Sequence, residues 1–252
     1  MKRRNQNPLV SIITVVYNGE QYLEQTIKSV IDQTYKNIEY IIIDGGSYDG
    51  TVEIIKKYQS HITYWLSEND KGVYDAMNKG ISLAKGDIIG IINSDDFYSV
   101  KAVEIAVYYL NSHEKYEVFF GNLNRIYSPM KEKIIKISIP NSIPKNKLHI
   151  VHPTVFVKKE VYDRKIFDDT LKIAADMDFL LSVCNTFNVV KSDEIISNMR
   201  IGGLSSNFFM SVTETYIVYR RMYSRLIALQ LIFRILLKKV PLELFRHIGL
   251  RS

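Results

Sequence analysis

Four short apolar runs, at residues 9–16, 38–43, 62–66 and 88–92, recur along the first part of the chain, with helical spacing between them. Each run is rich in Ile and Val and is closed by polar or glycine residues, the pattern of a strand buried on both faces. The stretches 20–33, 51–58 and 74–84 read as helices; in the first, Leu23, Ile27, Val30 and Ile31 share one face, and Thr51 is the expected cap of the second. Strand, helix and strand at this spacing build βαβ units, and therefore a parallel sheet with right-handed crossovers.

The fourth run, GDIIGIINSDDF at 86–97, ends abruptly in Asp95 and Asp96. These carboxylates fall at a strand's carboxyl end, the edge where open parallel sheets bind ligands. Paired there, they suit a hard divalent cation carrying substrate phosphates. A loop whose Asp caps a helix is the plainer alternative.

The turn DGGSYDG at 44–50 carries the first and last glycines of a dinucleotide fingerprint, Gly45 and Gly50. Ser47 stands where the middle glycine lets backbone approach a pyrophosphate, which counts against an NAD site.

Beyond residue 96 the pattern changes. Residues 118–127 and 133–139 alternate as strands, Pro140 and Pro144 mark a loop, and 151–157 is a further strand. A helix is expected over 176–186 and a short strand over 189–191. Mixed strands added to a parallel core are expected to build the pocket for a second substrate.

With 252 residues, 46% hydrophobic and 12% aromatic, the chain can bury a large domain plus an appendage, which excludes disordered and fibrous classes. Cys184, the single cysteine, lies among Leu180, Leu181 and Val183 and reads as a core thiol in a reducing compartment. The basic start, residues 1–8, lacks a small-residue cleavage site, and no run approaches the roughly 18 to 20 apolar residues of a spanning helix. A cytoplasmic protein is expected.

All of the formal charge excess of +6 falls in residues 211–252, with eight Lys/Arg against two Glu; the remainder balances at 25 against 25. Nucleic acid is therefore not an expected partner of the main domain. The tail reads as a helix over 212–237, with Gln230, Arg234 and Lys238 forming a narrow polar stripe on an apolar surface. Pro241 is expected to start a second amphipathic piece through Leu242, Leu244, Phe245 and Ile248. Such helices suit the plane of an anionic membrane surface; packing on the domain or homo-oligomer formation are the alternatives.

Five segments in register, VSIITVVYN at 10–18, IDGGSYDGT at 43–51, KGVYDAMNKG at 71–80, NSDD at 93–96 and AADMDF at 174–179, together resemble the family two inverting glycosyltransferases of the GT-A fold. The resemblance covers residues 8–205 and comes closest to bacterial members that build capsule, O-antigen and exopolysaccharide. It implies an α/β, Rossmann-like mixed sheet flanked by helices, with residues 1–205 catalytic and 206–252 a basic helical extension. It further implies transfer, with inversion, from a nucleotide-diphosphate sugar, expected to be a UDP-sugar, to a glycan or lipid-linked saccharide. The cytoplasmic membrane surface would be met through 212–252.

Residue roles follow from the same resemblance. Val15, Tyr17, Asn18 and Asp44 would hold the base and ribose, and Lys71 would lie near the nucleotide or its phosphates. The family's D-x-D falls on Asn93, Ser94 and Asp95, so Asp95 becomes the expected ligand of Mn²⁺ or Mg²⁺, with Asp96 the second candidate. Asp176 would be the base that takes the acceptor's proton. His152 would touch the sugar or a phosphate, with a core histidine as the equal alternative. Arg200, with Gly202 and Gly203, suggests a loop closing over the diphosphate.

Three departures stand out. Asn93 replaces the first acid, Ala175 stands where the family often has Glu, and no His between His152 and His247 can supply the further metal ligand some members use. A non-catalytic nucleotide-sugar or glycan-binding protein of the same fold is accordingly the second reading, and an NAD enzyme the third.

Overall fold

The structure, a computed structural model, describes residues 7–128, 131–136, 151–202 and 208–247, with side chains described to residue 236 and not at 128. The expected loop at Pro140 and Pro144, the end of the 133–139 strand, Gly203 and the side chains of Lys238, Leu242, Leu244, Phe245 and Ile248 lie outside this description.

β1 (Val10–Val16), β2 (Ile38–Asp44), β3 (Tyr64–Ser67) and β4 (Ile88–Asn93) alternate with α1 (Leu23–Ile31), α2 (Thr51–Lys57) and α3 (Val73–Leu83), as the periodicity predicts. β5 (Phe97–Tyr98), α4 (Ala102–Ser112), β6 (Val118–Ser128), β7 (Lys131–Ile135), β8 (Val155–Lys158) and α5 (Lys159–Tyr162) follow. The chain continues through α6 (Ala175–Thr186), β9 (Val189–Arg200), α7 (Phe208–Met222) and α8 (Arg225–His247). The strands form one mixed sheet in the order β3-β2-β1-β4-β8-β6-β9-β5, with β7 paired to β6.

Every residue of β1 is buried, because helices cover both faces of the sheet. Ile13 and Val15 point to a layer containing Met77 of α3, Phe179 of α6 and Val218 of α7. Ile12 and Val16 point to the opposite layer, with Ile27 of α1, Ile55 of α2 and Leu110 of α4. Each such side chain contributes about 1.5–3 kcal/mol by leaving water. The polar residues of β1 are paired: Ser11 donates to Glu39 at 2.5 Å, and Thr14 lies 3.0 Å from the Tyr40 hydroxyl.

Several expectations need correction. α4 occupies a stretch assigned no element; its tyrosines and β-branched residues blur the helical period. β9 runs to Arg200 instead of ending at residue 191. Its register against β6 jumps between Phe120 and Asn122, where residues 192–194 bulge and break the alternation that marks a strand. The strand expected from 151 begins at Val155, after a 3₁₀ turn over His152–Thr154. The tail helix expected over 212–237 is two helices, and Ser224 stands at the break, its carbonyl accepting Ala228 N–H at 3.0 Å. α8 then runs on through Pro241, so no separate piece starts there. Thr51 begins α2 and does not cap it; its hydroxyl donates to Asp49 and accepts the Gly19 N–H at 2.8 Å.

Candidate active site

Strand order alone locates the crevice. From β1 the chain winds outward to β2 and β3, then returns to β4 on the other side of β1. The carboxyl ends of β1 and β4 therefore flank the switch point at which open α/β sheets take ligands. Val15 is paired with Asn93 and Val16 with Asp44, so the donor-binding candidates from three strands reach one edge.

On the β1–β2 side the edge presents two tyrosines. Tyr17 is 61% exposed and Tyr48 is 83% exposed, with ring centroids 6.2 Å apart and planes at 80°. Two exposed aromatics on adjoining turns suit a flat heterocycle. Asn18 adopts φ 49°, its N–H donating to Ser47 Oγ at 2.7 Å and its Oδ1 accepting Tyr48 N–H at 3.1 Å. That pair of hydrogen bonds ties together the two turns that carry the tyrosines.

Asp44 was expected to touch ribose or base, yet it is fully buried beneath this turn. It accepts Ser47 N–H at 3.1 Å, Ser47 Oγ at 2.5 Å and Ser67 Oγ at 2.6 Å. The carboxylate therefore supports the loop and does not face the crevice. Gly46, at φ 83°, completes the turn in a conformation where a Cβ would also lie 2.4 Å from Asn69 Oδ1.

After β4 the two acids divide their work. Asp96 is buried, its Oδ1 accepting Arg200 N–H at 3.0 Å and its Oδ2 facing Asn93 Nδ2 at 3.4 Å. Burial and the adjacent Asp95 charge push its carboxyl up to about 8. Asp95 is half-buried and its carboxylate receives no hydrogen bond from another described residue; burial raises its proton affinity, against the attraction of Arg200. The Ser94 carbonyl is held by Thr26 Oγ1 at 2.8 Å, a hydroxyl also 2.6 Å from Asp96 O.

Arg200 ends β9 instead of riding on a loop, which corrects its expected setting. Its guanidinium lies 4.3 Å over the Tyr22 ring and 5.2 Å over that of Phe97, and it donates to Asp95 O and Gln25 Oε1.

Asn93 Oδ1 is buried and has no hydrogen-bond partner. A buried amide oxygen without a donor is costly unless something meets it. With the Asp95 carboxylate it offers hard oxygen donors of the kind that suit Mg²⁺ or Mn²⁺ shared with phosphates. Among the described residues no three His, Cys, Asp or Glu cluster as a closed metal cage. A site completed by substrate oxygens fits that donor set.

Asp176 opens α6, in its first turn. Its Oδ1 accepts Met177 N–H at 2.8 Å and lies 3.2 Å from the Tyr74 hydroxyl, whose proton is also offered to Ile173 O at 2.7 Å. Its Oδ2 takes no hydrogen bond among the described residues. Burial raises the proton affinity of this carboxyl, as a group that must accept a proton requires. Asp178, two residues on, is buried and paired with Lys165 at 2.8 Å and Arg221 at 3.3 Å.

Lys71 is exposed at a cavity of about 310 Å³ lined also by Tyr74, Asp75, Leu171, Lys172 and Met210. The structure thus sets Lys71 on the cavity that Tyr74 also lines. His152, by contrast, is buried against Phe167, ring centroids 5.4 Å apart, with Nδ1 unpartnered. Burial lowers its pKa to about 4, so it is neutral near pH 7 and packs as a core residue.

Tyr48, Tyr74 and Glu214 were not singled out from the sequence. An aromatic within a glycine-rich polar turn signals the first, and Tyr74 sits inside the KGVYDAMNKG motif. Glu214 is one of two acids in a basic tail, a signal with no direction to it.

A mixed sheet of this order, with acids at the β4 edge and a carboxylate opening α6, is the architecture of GT-A glycosyltransferases. The chain matches the family model described as glycosyl transferase family 2 over residues 11–171, and it belongs to that family. An uncharacterised glycosyltransferase of Rickettsia typhi is 30% identical over 228 residues, 86% of this chain and 71% of that protein. Another, from Haemophilus influenzae, is 31% identical, covering 84% of this chain and 88% of its own. Among solved structures, S. aureus TarS 1–349 in complex with UDP-GlcNAc superposes with a TM-score of 0.71 at 20% identity, covering 88% of this chain and 70% of that one. The mannosyltransferase PcManGT from Pyrobaculum calidifontis, in complex with GDP-Man and Mn²⁺, gives 0.64 at 14% identity, covering 86% of this chain and 64% of that one.

Proposed function

We propose that the protein transfers a sugar, with inversion, from a nucleotide-diphosphate sugar, a UDP-sugar by preference, to a hydroxyl of a glycan or lipid-linked saccharide in bacterial surface polysaccharide synthesis. The observation that carries this reading is the unpartnered, buried Asn93 Oδ1 beside Asp95 at the switch-point crevice. The nucleotide sugars bound by TarS and PcManGT, and the Mn²⁺ of the latter, support it by likeness of fold.

Tyr17 and Tyr48 sandwich or edge-contact the base, on turns fixed by Asn18 and by the buried Asp44. Asn93 and Asp95 would hold a divalent cation, which when bound neutralises charge on the departing diphosphate. Asp96, held inward by Arg200, keeps the turn in shape. On the opposite face of the sugar, the acceptor hydroxyl gives its proton to Asp176 Oδ2. Its oxygen forms the new bond to the anomeric carbon as the bond to the phosphate oxygen breaks.

The exposed apolar residues of α7 and α8 support a lipid surface as the place of reaction. Leu226 is 74% exposed and Phe233 61%, and Arg225 and Arg234 beside them are exposed too. Apolar and cationic side chains together complement an anionic membrane. Among the described residues, no helix is long and apolar enough to cross one.

The second reading, a binding protein without catalysis, draws on Asn93 and Ala175. A thermal-shift panel of nucleotide sugars with and without Mn²⁺, followed by assay of nucleotide release, tests both. One donor stabilising the protein only with Mn²⁺, and releasing nucleotide, supports the enzyme. Stabilisation without release supports the binding protein, and stabilisation by NAD without metal contradicts both.

A further inference from the structure

We infer that Glu214, on the C-terminal extension, is a positioning residue for Asp176; the inference rests on Asp176 being the base. Glu214 is buried, and its carboxylate takes three consecutive backbone N–H groups: Lys172 at 2.8 Å, Ile173 at 2.7 Å and Ala174 at 3.0 Å. These residues lead directly into α6, whose first turn carries Asp176. Hydrogen bonds to a charged acceptor are about twice as strong as neutral ones, so three of them on one short segment leave it little freedom.

The connection to the base passes through a single peptide unit. The N–H of Ala174 and the carbonyl of Ile173 belong to the same peptide plane. Glu214 holds the N–H side, and the Tyr74 hydroxyl, 3.2 Å from Asp176 Oδ1, holds the carbonyl side at 2.7 Å. A peptide polarised from both ends strengthens both bonds. The single Tyr74 proton is shared between that peptide's carbonyl and Asp176 Oδ1, so Glu214 and Asp176 meet through it.

The geometry of α7 shows how the carboxylate is delivered. Glu214, Val218 and Arg221 lie on one helical face, at steps of four and three. Val218 is fully buried, and Arg221 bonds Asp178 of α6 at 3.3 Å and Asp168 at 2.7 Å. α7 therefore grips both the approach to α6 and its first turn.

The test uses the full chain with the donor that the thermal-shift panel identifies and a saccharide acceptor to which the wild-type protein transfers its sugar. Glu214→Gln keeps the volume and one carbonyl acceptor but loses the charge and the second oxygen. Transfer kcat is expected to fall about ten- to a hundredfold, with the donor KM within about twofold and the thermal midpoint lowered by a few degrees, because an amide NH2 then meets backbone N–H donors. Glu214→Ala should lose more and regain part of kcat on adding formate, which can occupy the three N–H groups. Combining Glu214→Gln with Asp176→Asn should cost no more than Asp176→Asn alone. A Glu214→Gln kcat within twofold of wild type, an additive double variant, or no recovery with formate in a folded Glu214→Ala protein would overturn the inference. If Asp176→Asn itself keeps full activity, the base assignment has failed instead, and the two failures are separate.

Discussion

Arg200 donates its backbone N–H to Oδ1 of Asp96 at 3.0 Å, so the last residue of β9 fixes the carboxylate that follows β4. Two strands distant in sequence thereby lock one acid inward and leave its neighbour, Asp95, for the crevice. That division makes the charge at Asn93 the natural variable of the site.

Asn93→Asp restores the family's first acid next to Asp95 and the buried Asp96. Like charges crowd there, so the metal-free variant should be less stable by about 1–3 kcal/mol at pH 8, read by urea unfolding. Mn²⁺ affinity in the presence of nucleotide should rise about tenfold or more, read by calorimetric titration. Unchanged metal affinity would remove Asn93 from the cation's surroundings.

Tyr48→Ala should raise the donor KM about five- to a hundredfold while kcat changes little, because base–aromatic stacking is worth about 1–3 kcal/mol. Tyr17→Ala should behave alike. Steady-state kinetics against donor concentration read the effect, and a kcat loss with unchanged KM would assign the tyrosines elsewhere.

How much of this was legible in the sequence depended on distance along the chain. The βαβ core and the acids at its edge were readable because period, strand end and carboxylate are local features. The inward turn of Asp96 was not, since it needs β9, whose bulge at 192–194 hides its length. The burial of Asp44 escaped notice for the same reason, and that of His152 stood only as one of two equal alternatives: their surroundings come from other elements. Glu214 finds its partners some forty residues away, a contact no spacing rule reports.

His152 gives a pH signature. Its folded pKa of about 4 lies below the 6.5 of the unfolded chain, so its contribution to stability is complete above pH 6.5 and is lost as pH falls toward 4. Asp96, raised to about 8, acts in the opposite direction, stabilising the fold as pH falls from 8 toward 4. Comparing wild type with His152→Leu cancels that term. Urea unfolding at pH 7 and pH 5 should move the difference by about 2 kcal/mol in the variant's favour; parallel pH profiles would contradict a buried neutral histidine.

Replacing Leu226 and Phe233 together by Ser should cut binding to vesicles containing anionic lipid about tenfold or more, measured by co-sedimentation, and salt should weaken wild-type binding. Equal sedimentation of both proteins would show that this face meets something other than lipid.

Asp176→Asn is the most direct test of the whole account. The amide keeps the shape but cannot take a proton from the acceptor. Measured side by side, transfer turnover should fall about 10²–10⁴-fold, while the Kd for the nucleotide sugar with Mn²⁺ stays within about twofold. Turnover near the wild-type rate would contradict the assignment of Asp176 as the base, and with it the mechanism proposed for this site.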